Sequence, residues 1–233
     1  GLAVAVERQP DLATAAMIVA CGVSIIVVAG VSAKSLLLLG VAAAALVGVA
    51  IVDEPYRLER IKVHAERWAD ANRLDGGYQT VVSETALARG GVFGVGIGNG
   101  IAKHRLPAPT TDFVLATVGE ELGLVGVLFV VGLLAFVTWR LFWLGVRAPD
   151  SFGRLALVGM AVWVGIQTCT SVTMVNGFVP PIGIPLPFVS YGGSSLLALW
   201  MGIGVSMSLA QQQKMKKEVE QPATGSYGWR DRR

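Results

Sequence analysis

The chain is short of charge. Asp, Glu, Lys and Arg make up 15% of its 233 residues, against about 25% in an ordinary soluble domain. The shortage is also uneven. Residues 155–213 contain no Asp, Glu, Lys, Arg or His, and residues 12–33, 35–52 and 122–139 are equally charge-free. Soluble helices seldom stay charge-poor over such lengths, which makes a large buried soluble core the weaker alternative. Cysteine is nearly absent. Cys21 and Cys169 lie inside apolar runs, follow no metal or disulfide spacing, and read as small packing residues. No excess of basic charge marks a nucleic-acid surface either: residues 53–112 hold eight Lys/Arg and eight Asp/Glu.

What is abundant is apolar sequence. Hydrophobic residues account for 53% of the chain, and the mean hydropathy is +0.61. A helix needs about 20 apolar residues to cross the hydrocarbon core of a bilayer. Five candidate spans follow, at about 12–33, 35–52, 113–139, 155–175 and 187–210. The expected fold is an all-α, polytopic membrane helix bundle with a long structured extracytoplasmic loop, 53–112. Lys34, the cluster Arg140, Arg147 and Arg154, and the trio Lys214, Lys216 and Lys217 mark the cytoplasmic side by the positive-inside rule. The loop 53–112 and the connection 176–186 then face outward. The chain opens on Gly1-Leu2-Ala3 without Met and reads as the C-terminal part of a larger membrane protein. Residues 214–233 mix charge with Gly, Pro and Ser and are expected to be a disordered cytoplasmic tail.

The chemistry-bearing residues gather on the outer side. Asp112 ends the loop at the mouth of a span, where a carboxylate is costly to keep and is a functional candidate by default. Glu120 and Glu121 follow, roughly 12–14 Å further along the helix; a direct role and buried interhelical hydrogen bonding are both open to them. Asp11, after Gln9-Pro10, fits either a helix start or a place in a polar cavity. Residues 78–88, including Gln79, read as a short helix at the outer membrane surface. The run from Gly90 to Gly100 has six glycines. No preceding strand and no Gly-Lys-Ser/Thr ending support a nucleotide loop, so it reads as tight turns and close backbone approach. Residues 180–187 carry four prolines and require a re-entrant turn. After Ser190 and Tyr191, Gly192, Gly193, Ser194 and Ser195 open a broken helix whose free N–H groups suit an anionic group, with a plain helix break as the structural alternative.

These blocks carry a resemblance. Gln9-Pro10-Asp11-Leu12 with Thr14, then Lys103, Leu106-Pro107, Thr111-Asp112-Phe113 and Gly119-Glu120-Glu121-Leu122-Gly123, then Pro185-Leu186-Pro187-Phe188 with residues 190–195, are similar in order to the signatures of the shape, elongation, division and sporulation (SEDS) family, the FtsW/RodA/SpoVE group. The resemblance covers about residues 5–213. It implies a SEDS-like membrane domain over 1–213, with about five of a usual ten membrane helices. Ala108 and Thr110 stand where the family commonly has Glu and His, and Ala13 stands where Gly is usual.

The resemblance implies a peptidoglycan glycosyltransferase that polymerises lipid II, an undecaprenyl-diphosphate-linked disaccharide peptide, beside a class B penicillin-binding protein. Asp112 is the matched catalytic position and suits a general base. Lys103, Arg57 and Arg60 are candidates to neutralise the diphosphate. Gln79, Ser190, Gly192, Gly193, Ser194 and Ser195 are further substrate-binding candidates, and Asp11, Glu120 and Glu121 are cavity or structural ones. The reading leaves room for a divalent cation, Mg or Mn, without visible ligands, and expects no nucleotide. A lipid II flippase and a non-catalytic division or elongation scaffold are the alternatives.

Overall fold

The computed structural model describes residues 12–52 and 55–220, and among them the regular elements are all helices, with no strand. Two apolar helices lead, α1 (Leu12–Val28) and α2 (Ala33–Val52). Four short ones build the loop: α3 (Pro55–Ala65), α4 (Asp70–Arg73), α5 (Tyr78–Gly90) and α6 (Ala102–Arg105). Three long ones follow, α7 (Val114–Val146), α8 (Ser151–Val175) and α9 (Gly193–Glu220). Among the described residues, α7, α8 and the Gly193–Gln212 part of α9 are long and apolar enough to cross a bilayer. The apolar stretch Thr14–Val28 of α1 is shorter, and α2 adds 20 residues of apolar sequence.

Helix ends depart from the expected spans for local reasons. Gly30, at φ 84°, follows the end of α1. α7 runs past residue 139, and two arginines pack at its end: the guanidiniums of Arg140, in the helix, and Arg147, its C-cap, sit 4.7 and 3.8 Å from the Trp143 ring centre. α9 starts only at Gly193. Pro185 and Pro187 offer no amide to a helix, and Phe188 takes φ 60°, outside any right-handed helix. At its other end α9 continues to Glu220, so the first residues of the expected tail are helical; Gln211–Gln213, Lys214 and Met215 are good helix formers. Residues 221–233 lie outside the described residues.

α7 is 33 residues long, about 50 Å at 1.5 Å per residue, far more than the ~30 Å hydrocarbon core. It breaks at Gly123 (φ 69°, ψ −166°). The part after the break runs antiparallel to α8 across the short 147–150 connection, where the Asp150 side chain accepts from the Gly153 amide at 2.7 Å and caps α8. Small residues bring the pair close: a Cβ on Gly145 would lie 2.8 Å from Val158. Leu141, Leu157, Met160, Ala161, Val164 and Leu199 form a core shared by α7, α8 and α9. A second core, with Ala86, Leu115, Ala116, Met174, Val175 and Leu186, joins the start of α7 and the end of α8 to α5 and the proline-rich turn. That second core fixes the position of Asp112.

Candidate active site at the Asp112 loop

Asp112 lies in the turn just before α7, half-buried. Burial pushes its carboxyl above the usual range, and a hydrogen bond from Thr111 offsets this only in part. The proline-rich segment is stitched across this turn. The Ser190 hydroxyl donates to the Thr111 carbonyl at 2.5 Å and accepts from the Leu186 amide at 2.8 Å. The Tyr191 amide donates to the Thr110 carbonyl at 2.8 Å. Gly183 closes the arrangement: a Cβ built on it would be 3.7 Å from Oδ2 of Asp112. The two blocks richest in sequence signal thus meet, and the carboxylate faces the 183–190 turn.

The departures Ala108 and Thr110 sit where backbone does the bonding. The Ala108 carbonyl accepts from the Phe113 amide at 3.3 Å, and Thr110 acts through its own carbonyl. Changing these side chains leaves the turn's hydrogen bonds intact.

α8 ends in a Schellman motif at Gly177 (φ 69°), with Phe178 N donating to Thr173 O and Gly177 N to Met174 O. α3 and α5 clamp the segment that follows. Arg60 donates to the Pro181 carbonyl. His64 Nε2 lies 3.0 Å from the Gly177 carbonyl and so carries the proton. Burial and the neighbouring Arg67 hold the His64 ring below its ordinary pKa, against the opposing pull of the Gly177 carbonyl and Glu84. Arg67 places Nε and Nη2 on one oxygen of Glu84 at 2.9 and 2.6 Å, and Trp68 Nε1 takes the other at 3.0 Å. Ser83 completes the clamp by donating to the Val175 carbonyl at 2.8 Å.

Lys103, Glu120 and Glu121 do different work. Lys103 Nζ bonds Glu121 and the Gly98 carbonyl, each at 2.8 Å. Glu120 is 2% exposed; it accepts from the Ala102 amide at 2.8 Å and pairs with Arg89 at 3.2 Å. These side chains tie α5, α6 and the glycine-rich loop to α7. The loop also plugs the Gly123 break: Val95 and Gly96 donate to the carbonyls of Glu120 and Glu121 at 3.0 Å, while Leu124 and Val125 donate back to Gly91 and Val92 at 2.9 and 3.2 Å. A Cβ on Gly90 would overlap the Gly119 carbonyl. Close backbone approach is therefore what the glycines serve.

The remaining candidates are dispersed. Gln79 lies half-buried in the first turn of α5. Gly193, Ser194 and Ser195 form the first turn of α9, and the Gly192 carbonyl accepts from Leu196 at 2.8 Å. Arg57 belongs to α3, but its side chain, like Asp11, lies outside the described residues. Sequence reading missed His64 and the Arg67–Glu84 pair, since nothing in their spacing signals a clamp. It also missed a cleft of about 220 Å³ lined by Arg73, Arg89 and Arg105 with Glu120 beneath; each arginine comes from a different short helix.

A groove of about 1030 Å³ runs between α1, α8 and α9, walled by apolar side chains such as Met17, Ile25, Trp163 and Met201. Gly183, Ser194 and Ser195 line it too, so the residue facing Asp112 also borders the groove. Gln167, 4% exposed, is in its lining and its Oε1 has no hydrogen-bond partner.

The FtsW/RodA/SpoVE family profile, described as "Cell cycle protein", matches residues 2–215. The chain belongs to this family. FtsW/RodA/SpoVE relatives agree in sequence and in fold. It is 36% identical to the "Probable peptidoglycan glycosyltransferase FtsW" of Dichelobacter nodosus, over 91% of this chain and 54% of that protein. It is 36% identical to the stage V sporulation protein E of Bacillus subtilis, over 88% of this chain and 56% of the relative. A solved peptidoglycan synthase complex, described as coordinating polymerization and crosslinking, superposes with a TM-score of 0.71 at 30% identity, over 88% of this chain and 57% of its own. A mutant of the rod shape determining protein RodA from Thermus thermophilus gives 0.58 at 27% identity, over 88% and 51%. The chain spans about half the length of the curated relatives it matches. Family membership and the long apolar helices make it a multi-pass, all-α membrane protein.

Proposed function

We propose that the protein to which this chain belongs is a peptidoglycan glycosyltransferase that polymerises lipid II. The observation that carries the reading is a half-buried carboxylate, Asp112, held by a stitched turn beside a large apolar groove. The acceptor sugar's 4-hydroxyl attacks the anomeric carbon of the donor glycan. The new C–O bond forms as the bond to the undecaprenyl diphosphate breaks. Asp112 takes the hydroxyl proton, and burial makes it a stronger base than an exposed Asp. The apolar groove suits the prenyl chain, whose burial is favourable in proportion to area. Arg60 donates to the carbonyl of Pro181, two residues before the Gly183 that faces Asp112. It suits the departing diphosphate better than Lys103, which Glu121 already neutralises.

Among the described residues no three His, Cys, Asp or Glu side chains converge as metal ligands. Hard cations such as Mg or Mn need only one or two carboxylates when substrate phosphates supply the rest, and Asp112 is the carboxylate that would do so. No step above depends on such an ion.

The basic residues Arg140, Arg147, Arg154, Lys214, Lys216 and Lys217 support a bacterial cytoplasmic membrane location with the C-terminus inside and Asp112 outside. A class B penicillin-binding protein is the proposed partner, supported by the similarity to a synthase complex. A flippase would need substrate access from the cytoplasmic side, whereas the stitched turn and the clamp are built on the outer one. The test is lipid II polymerisation by the Asp112→Asn variant of the full-length protein.

A further inference from the structure

The loop that plugs the Gly123 break has an outer side. Residues 90–102 carry no Asp, Glu, Lys, Arg or His. Phe93 is 84% exposed and Ile97 81% exposed, with Val92, Leu124 and Val125 exposed around them. Their surface continues into the exposed apolar side chains Leu128, Phe129 and Leu133 of α7.

The level of this patch follows from helix lengths. From Gly123 to Val146 α7 spans 24 residues, about 36 Å. Its antiparallel neighbour α8 has 25 residues, about 37 Å. Both leave the same 147–150 connection, so Gly123 lies level with the outer end of α8. The loop bonded to residues 120–125 lies there too, at the edge of the hydrocarbon core.

A broken helix at that level exposes backbone groups that lipid cannot satisfy. The loop satisfies them from both sides, through Val95, Gly96, Leu124 and Val125. The charged groups nearby, Glu120, Glu121, Arg89 and Lys103, are paired on the protein side. What remains outward is apolar. In water this surface would be a costly exposed patch.

We propose that the 91–97 loop is immersed in the outer edge of the bilayer, with Phe93 and Ile97 in contact with acyl chains. The loop then anchors the outer half of α7, and with it the Asp112 turn, at a fixed height on the membrane. The proposal needs only a membrane-spanning chain; its assignment to the outer leaflet rests on the orientation proposed above. Its failure would leave the chemistry of Asp112 untouched.

The test uses the full-length protein in vesicles of phosphatidylethanolamine and phosphatidylglycerol. With native cysteines replaced, spin labels are placed at Phe93→Cys, Ile97→Cys and, as an exposed loop reference, Asp75→Cys. Collisions with oxygen should exceed those with a water-soluble nickel chelate at 93 and 97, and the order should reverse at 75. Nickel dominance at 93 and 97 would overturn the proposal by placing the loop in water. Low collision with both reagents would overturn it by placing other protein over the patch. A second measurement leaves the sequence unaltered: a phospholipid with a diazirine in its acyl chain should label the tryptic peptide 90–103, and absence of label there while α7 is labelled would equally contradict it.

Discussion

Ser190 joins the two halves of the site: its hydroxyl donates to the Thr111 carbonyl at 2.5 Å while accepting the Leu186 amide at 2.8 Å. One 2%-exposed side chain therefore sets the distance between the proline-rich turn and the residue preceding Asp112. Ser190→Ala should leave a buried carbonyl and a buried amide unsatisfied, costing about 1–3 kcal/mol. Thermal unfolding in detergent should show the loss. On the proposed mechanism, polymerisation by the folded variant should fall in kcat more than KM rises, because the proposed base is displaced while the groove is intact.

Asp112 gives a pH signature. Burial raises its pKa above the ordinary carboxylate value, so the ionised form that the proposed base needs is lost at higher pH than for an exposed Asp. The acid limb of kcat/KM should therefore lie above the usual Asp range. The stability sign runs the other way: a raised folded pKa means stability is fullest at low pH and declines as pH rises through that pKa. Asp112→Asn should accordingly keep or slightly raise the melting temperature at neutral pH, checked by unfolding at two pH values.

Glu120 supports the loop. Its carboxylate takes the buried Ala102 amide and pairs with Arg89. Glu120→Ala should cost about 1–3 kcal/mol by leaving the amide unpaired, while Glu120→Gln, which keeps an acceptor, should cost less. Hydrogen exchange over residues 90–106 should rise more in the alanine variant.

Gly123 has a backbone conformation that is essentially restricted to glycine (φ 69°, ψ −166°). A Cβ there would also overlap the Val92 carbonyl and the Gly94 amide. Gly123→Ala should cost about 1–3 kcal/mol from conformation alone and more from the overlap. The expected readout is a lowered melting temperature with increased proteolysis in the 90–101 loop.

Much of this was legible in the sequence, because membrane helices announce themselves by lost charge and turns by proline and glycine. The α-helical bundle, the helix over 78–88, the 180–187 turn and the prominence of Asp112 all follow from local rules. Partnerships across the chain do not. Lys103 reads as a free cation, yet its partner Glu121 lies eighteen residues away and is brought to it by the packing of α6 and the glycine-rich loop against α7. Arg67 and Glu84, and Ser190 and Thr111, meet for the same reason: tertiary packing, which no spacing encodes, sets their distance. The end of α9 is the reverse case. Its polar composition suggests a tail, but helix propensity in 211–220 carries the helix on.

The central claim is that Asp112 is the base for glycan transfer. It is tested most directly by reconstituting the full-length protein, wild type and Asp112→Asn, with the proposed penicillin-binding partner in vesicles. Lipid II polymerisation and lipid II translocation are then measured side by side. The account predicts folded, partner-bound protein in both samples and glycan strands only from the wild type. Glycan strands formed by Asp112→Asn at the wild-type rate would contradict it.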